Sequence, residues 1–214
     1  MKATFQLYKK NNGPFLSASA LIWFVVLLVA VEYSRVNAHL LLNSFHTPFL
    51  DIFFKYFTYI GGGFPVYVGI AWFLFNKRQG LYILLTQGLT AIFTQIAKYT
   101  FAHPRPLTYF KEIGASLPPT VEGVQIWDAY NSFPSGHTSA TFALCACLAA
   151  ITPPKYRWLQ LVWVLFGWLG SYSRIYLSQH VVDDILAGSV IGVVSAGILY
   201  VVLFQKEWGN QPLF

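Results

Sequence analysis

At 214 residues, 56% hydrophobic and only 10% charged, the chain is far more apolar than a soluble domain, in which about a quarter of residues carry charge. Its formal charge of +6 does not indicate nucleic acid, because the Lys and Arg residues are scattered among apolar segments instead of striped along one polar face. One helical membrane bundle accounts for the length, since each crossing takes about 20 apolar residues, and residues 1–214 read as a single domain.

Lys2, Lys9 and Lys10 precede an apolar run over 15–31, the first predicted crossing. The alternative is a signal peptide cleaved after Val36, Asn37 and Ala38, but the run is long for a signal and a retained helix is expected. Over 32–53, Leu40, Leu41, Leu42, Phe45, Phe49 and Leu50 alternate with His39, Asn43, Ser44, His46 and Asp51. This amphipathic pattern predicts a helix lying in the membrane interface, with His39 and His46 as interfacial polar residues without metal-ligand partners.

The second predicted crossing covers 56–75, where Gly61, Gly62, Gly63 and Pro65 favour close packing or a kink. A short basic loop at 76–80 leads to a third crossing over 81–101, which carries Gln87, Thr90, Thr94, Gln95 and Lys98. Residues 103–133 form a polar connector with Pro104, Pro106, Pro118 and Pro119, too long for a simple turn and read as a lid or headgroup-contacting loop. The fourth crossing follows over 136–151, the fifth over 158–177 and the sixth over 184–204, where Gly188 and Gly192 make a small-xxx-small pair. Cys145 and Cys147 point to different sides of the fourth helix, which argues against a disulfide or a metal site.

The fold class that follows is all-α, an integral membrane bundle of six transmembrane helices with an amphipathic interfacial segment after the first. Six crossings put both termini on one side, with Lys2, Lys9, Lys10, Lys77, Arg78, Lys155, Arg157 and Lys206. Positive charge concentrates in cytoplasmic loops, so the termini are expected in the cytoplasm and the opposite end outside.

Three polar motifs converge on that outer end. The first is Lys98 with Arg105 and Pro106, the second Pro134, Ser135, Gly136 and His137, the third Ser173 and Arg174 with His180 and Asp184. Ser135 suits a helix N-cap, and Gly136 lets a ligand approach backbone N–H groups that lack intrahelical acceptors, a setting that attracts anions. Three cations at such a helix end would bind a dianion and neutralise charge in phosphoryl transfer. His180 and Asp184, four apart, can face each other, so that the carboxylate holds one imidazole nitrogen and frees the other for attack. His137 remains to protonate a leaving oxygen and then to act as base on water. A helix N-terminus favours neutral imidazole and a carboxylate favours imidazolium, which leaves the protonation balance of His180 open. The adjacent Asp183 competes in principle, but its spacing from His180 is less suitable, and helix-end compensation or solvation fits it better.

In order and spacing these residues resemble the three-part signature of the type 2 phosphatidic acid phosphatase superfamily, over most of the chain from about residue 56 onward. The resemblance implies a metal-independent membrane phosphatase with no cofactor, acting through a phosphohistidine on His180. Asp184 would support His180, His137 would serve as acid and base, and Lys98, Arg105, Ser135, Gly136 and Arg174 would bind the phosphate. Partners implied are the bilayer and a lipid phosphate, with undecaprenyl diphosphate or lipid A ahead of phosphatidylglycerophosphate and phosphatidic acid. His103 lies outside the defining positions and is expected to touch headgroup or solvent. Competing readings are phosphotransfer from the same intermediate to another lipid, and a transporter or binding protein that holds anionic lipids without chemistry. A related haloperoxidase is disfavoured by the six crossings.

Overall fold

The computed structural model describes residues 1–204, and all regular structure among them is helical. In chain order the helices are α1 (Lys2–Asn11), α2 (Gly13–Glu32), α3 (Arg35–Leu42), α4 (Pro48–Phe57), α5 (Phe64–Phe75), α6 (Lys77–Phe101), α7 (Pro106–Glu112), α8 (Gly136–Ile151), α9 (Leu159–Tyr176) and α10 (Val182–Leu203). Their starts follow local chemistry. Ser34, Thr47, Asn76 and Ser135 each accept a bond from a backbone N–H three residues on, and Pro14, Pro48, Pro65 and Pro106 occupy first turns.

Helix α8 is the axis of the bundle and packs against α6, α9 and α10. Its Ala, Ser, Thr and Cys side chains are short enough for neighbours to approach on all sides, so nearly every residue from Thr138 to Ile151 is buried. The closest approach is to α10. A Cβ on Gly192 would lie 2.4 Å from the Ser139 carbonyl oxygen, and one on Gly188 would lie 2.7 Å from that of Ser135. The predicted small-xxx-small pair therefore sets how near α10 comes to the start of α8.

One expectation is corrected and another made specific. The amphipathic stretch is two helices, because α3 ends at Leu42 and Pro48 begins α4 after a short link. The predicted second crossing is broken: α4 continues into a 3-10 turn (Thr58–Gly61), and the axis bends by 55° before α5. Three consecutive glycines supply no side-chain packing to keep the helix straight, and Pro65 removes a backbone donor at the new start. Among the described residues three stretches are long and apolar enough to cross a membrane alone, Gly13–Glu32, Lys77–Glu112 and Val182–Leu203, and the bent pair makes a fourth when counted as one crossing. The apolar α8 has only 16 residues, which is short for an independent crossing. Lys206, assigned above to the cytoplasmic side, lies outside the described residues.

Helix α7 and the connector after it fold back onto the bundle. Arg105 N–H donates to the Ala129 carbonyl at 2.9 Å and Ser132 N–H to the His103 carbonyl at 3.0 Å, so the two ends of the connector are tied together. Lys111 pairs with Asp128 at 2.7 Å, Lys55 of α4 donates to the Glu122 carbonyl at 2.8 Å, and Val121 joins a small core with Phe54, Tyr176 and Leu177.

Candidate active site

Between α9 and α10, residues 177–181 turn back sharply. Ser178 takes a left-handed conformation with φ of 49°, and the N–H groups of Gln179 and His180 both donate to the Arg174 carbonyl, at 2.9 and 3.1 Å. Helix α3 holds this turn from outside. Asn43 Nδ2 donates to the carbonyls of Ile175 and Tyr176, each at 2.8 Å, and the buried His39 places Nε2 3.3 Å from Ser178 Oγ. His39 is therefore a core residue and not the interfacial one expected, because the turn offers it a hydroxyl and Phe110 packs edge-on against its ring. His46 is half-buried and bonds Asp51 at 2.8 Å and Asn43 Oδ1 at 3.1 Å.

The turn delivers His180 to a buried carboxylate. Its Nδ1 donates to Asp184 Oδ2 at 3.0 Å, and the same oxygen accepts from Ser132 Oγ at 2.5 Å and from the Val181 N–H at 3.1 Å. A proton on Nδ1 leaves Nε2 with a lone pair, and Nε2 has no hydrogen-bond partner among the described residues. Burial pushes the His180 pKa down to about 4, against the opposing pull of Asp184, so the ring is neutral at ordinary pH. Asp183 turns away and pairs with Arg35 of α3 at 2.8 Å. The pair pins the start of α10 to α3, which is more specific than the helix-end compensation or solvation expected.

Lys98, Arg105 and Arg174 converge on the same end of the bundle. Lys98 Nζ donates to the Asn131 carbonyl and, at 3.3 Å, to that of Ser132. Arg105 Nε donates to Asn131 Oδ1 at 2.6 Å, and its Nη1 reaches the carbonyl and amide oxygens of Gln179, both at 3.4 Å. The buried Arg174 donates from Nη1 to Thr58 Oγ1 at 2.5 Å. Among the described residues none of the three forms an ion pair with a carboxylate. Clustered, partly buried cations held only by neutral oxygens are costly, and they constitute a strong anion site.

The start of α8 faces this cluster. Ser135 is the N-cap, as the sequence predicts: its Oγ accepts from the Thr138 N–H at 3.3 Å, and its own N–H donates to the Asp184 carbonyl at 3.0 Å. The N–H groups of Gly136 and His137 have no protein acceptor among the described residues, so they add two donors at the positive end of a helix. The imidazole of His137 makes no hydrogen bond with the described residues and lies within the electrostatic field of Arg174, His180, Arg105 and Lys98. All eight predicted site residues are thus brought to one end of α8. His103 is set aside, its ring packed against Phe101 and Phe133 at centroid distances of 6.2 and 5.1 Å.

Several residues of the site were not anticipated. Ser132 bridges the His180–Asp184 pair to the connector, and its one sequence cue is a polar side chain two residues before Pro134. Thr58 holds Arg174, Asn131 and Gln179 hold Arg105, and Asn43 holds the turn, all through contacts between residues distant in sequence. The arrangement suits in-line transfer of a phosphoryl group to an imidazole nitrogen, with cations and N–H groups around the equatorial oxygens and a second imidazole for the leaving oxygen. Among the described residues no three His, Cys, Asp or Glu side chains are grouped to share a metal ion.

The PAP2 superfamily profile matches residues 79–208. A lipid A 4'-phosphatase of Bacteroides thetaiotaomicron is 30% identical over 176 residues, covering 78% of this chain and 76% of that protein. The undecaprenyl-diphosphatase BcrC of Bacillus subtilis is 28% identical, covering 73% of this chain and 76% of its own. Among solved structures, Aquifex aeolicus LpxE superimposes with a TM-score of 0.65 at 26% identity, over 78% of this chain and 94% of that one.

Proposed function

The chain belongs to the PAP2 superfamily, and from that premise we propose that it removes the terminal phosphate of a membrane lipid phosphate or diphosphate through a phosphohistidine on His180. Lipid A and undecaprenyl diphosphate are the first substrates to consider, since relatives named for acting on them cover most of this chain. The observation that carries the reading is the buried His180–Asp184–Ser132 assembly, which leaves Nε2 free beside three cations without carboxylate partners.

His180 Nε2 attacks phosphorus as the bond to the lipid oxygen breaks. Lys98, Arg105, Arg174, Ser135 and the N–H groups of Gly136 and His137 hold the phosphoryl oxygens, and Asp184 steadies the imidazolium that forms. His137, as imidazolium, gives its proton to the departing oxygen. In the second half water attacks phosphorus while His137 takes a proton from it, the N–P bond breaks, and orthophosphate leaves with His180 neutral again.

In the membrane the protein makes six crossings, by α2, the bent α4–α5 pair, α6, α8, α9 and α10, as one domain. The termini are cytoplasmic, and the site opens on the outer face of a bacterial-type inner membrane. Supporting this are Lys77 and Arg78 at the start of α6 and Lys155 and Arg157 in the link between α8 and α9, all at the end opposite the site.

The test is orthophosphate release by detergent-solubilised protein in chelator, from undecaprenyl diphosphate, lipid A, phosphatidylglycerophosphate and phosphatidic acid. One lipid should be cleaved, and His180→Ala should lower its turnover by at least about a thousandfold while the lipid still binds. Wild-type turnover in His180→Ala would rule out the covalent route.

A further inference from the structure

We propose that the break between α4 and α5 is a fourth working part of the site, in which Thr58 is a positioning residue for Arg174 and Gly62 sets the room available to the leaving group at His137. The inference rests on the assignment of His137 to the leaving oxygen, and its first half stands without turnover.

Each residue of the break meets a different part of the site. Thr58 is buried, and its hydroxyl is the one hydrogen-bond acceptor of the Arg174 guanidinium among the described residues. The Nε of Arg174 is buried without a partner among the described residues. A guanidinium grips phosphate bidentately only when an edge of its planar fork is turned to it, and here the plane is held by a single hydroxyl from a different part of the chain. Ile60 packs towards Gly170 of α9, where a Cβ would come within 3.1 Å of its side chain, so the turn is wedged against the helix that carries Arg174.

Gly61 then brings the turn onto the backbone of His137. A Cβ there would lie 2.4 Å from the His137 carbonyl oxygen and 2.8 Å from its Cβ, an approach open to no other residue. Gly62, the next residue, faces the imidazole: a Cβ on it would stand 3.8 Å from Nε2 of His137. With Nδ1 nearer the ring's own backbone, Nε2 is the nitrogen that extends furthest from α8. Hydrogen in place of a side chain at Gly62 therefore keeps a Cβ, which would also lie 3.3 Å from the Tyr59 carbonyl oxygen, from standing beside the atom that meets the leaving oxygen. The close packing or kink expected from Gly61, Gly62, Gly63 and Pro65 acquires a use from this: the bend inserts a backbone turn where a straight helix would place side chains.

The experiment has two arms in the full-length protein. The first measures orthophosphate binding by calorimetry and orthophosphate inhibition of turnover for Thr58→Val and Thr58→Ser. Thr58→Val removes the acceptor at nearly constant volume and should weaken orthophosphate by about tenfold, whereas Thr58→Ser should stay within about twofold of the parent. Parent-like binding in Thr58→Val, or equal loss in both variants, overturns the positioning role, and calorimetry gives that answer even if no lipid is hydrolysed. The second arm compares Gly62→Ala on phenyl phosphate and on the best lipid of the panel. Turnover of the lipid should fall at least about tenfold more than that of phenyl phosphate. An equal fall on both substrates overturns the leaving-group role, and a misfolded fraction cannot mimic the expected result because it lowers both alike.

Discussion

Asp184 Oδ2 accepts from three donors at once, the His180 imidazole, the Ser132 hydroxyl and the Val181 N–H. Together they fix the rotamer of the carboxylate and, through it, the tautomer and plane of the imidazole. The two buried histidines of this region also link its stability to pH. Burial holds both His39 and His180 near 4, against an ordinary value of 6.5. Between those values the unfolded chain binds protons that the folded chain does not, so stability is full above about 6.5 and declines as pH falls towards 4. His39→Gln keeps a polar group beside Ser178 and removes one of the two titrations. The thermal midpoint in detergent should therefore drop less between pH 7 and pH 5 in the variant than in the parent, and an equal drop would discount His39 as a source. Residues whose work depends on spacing along one helix were legible in the sequence: His180 with Asp184 four residues on, and Ser135 as a cap. Ser132, Thr58 and Asn43 were not, because their bonds cross 52, 116 and 132 residues of chain.

At the scale of elements, α3 is a strap across the turn that presents His180. It contributes Arg35 to Asp183 at one end and His39 and Asn43 to the turn at the other, all inside a segment that by composition reads as interfacial. Asn43→Ala would leave the buried carbonyls of Ile175 and Tyr176 without this donor, at a cost of about 2 kcal/mol. The expected signature is a lower unfolding midpoint together with a fall in kcat and little change in KM, since in the proposed mechanism the turn carries the attacking group. A fall in KM alone would place the strap elsewhere in the cycle. The helices most legible in the sequence, α2, α8 and α10, are those with uninterrupted apolar runs and marked ends. The break between α4 and α5 was only half legible. Its glycines announced a kink or close packing, while the partner that explains them, the backbone of His137, lies on another helix.

Across the whole molecule, charge is sorted by end. Lys77, Arg78, Lys155 and Arg157 occupy one side, and Lys98, Arg105 and Arg174 with α7 and the connector occupy the other. The proposed orientation can be read by labelling, because Cys145 and Cys147 are both buried and stay silent. In intact cells a membrane-impermeant maleimide should modify Glu122→Cys and spare Lys155→Cys until the membrane is opened; the reverse pattern would invert the topology. The connector itself is closed at its neck by two backbone bonds, Arg105 to Ala129 and Ser132 to His103. Backbone bonds survive side-chain replacement, so drift in the sequence or length of the segment beyond the neck leaves Arg105 and Ser132 at fixed separation. Descendants of this chain can thus change what they grip outside the neck while inheriting the same reactive centre.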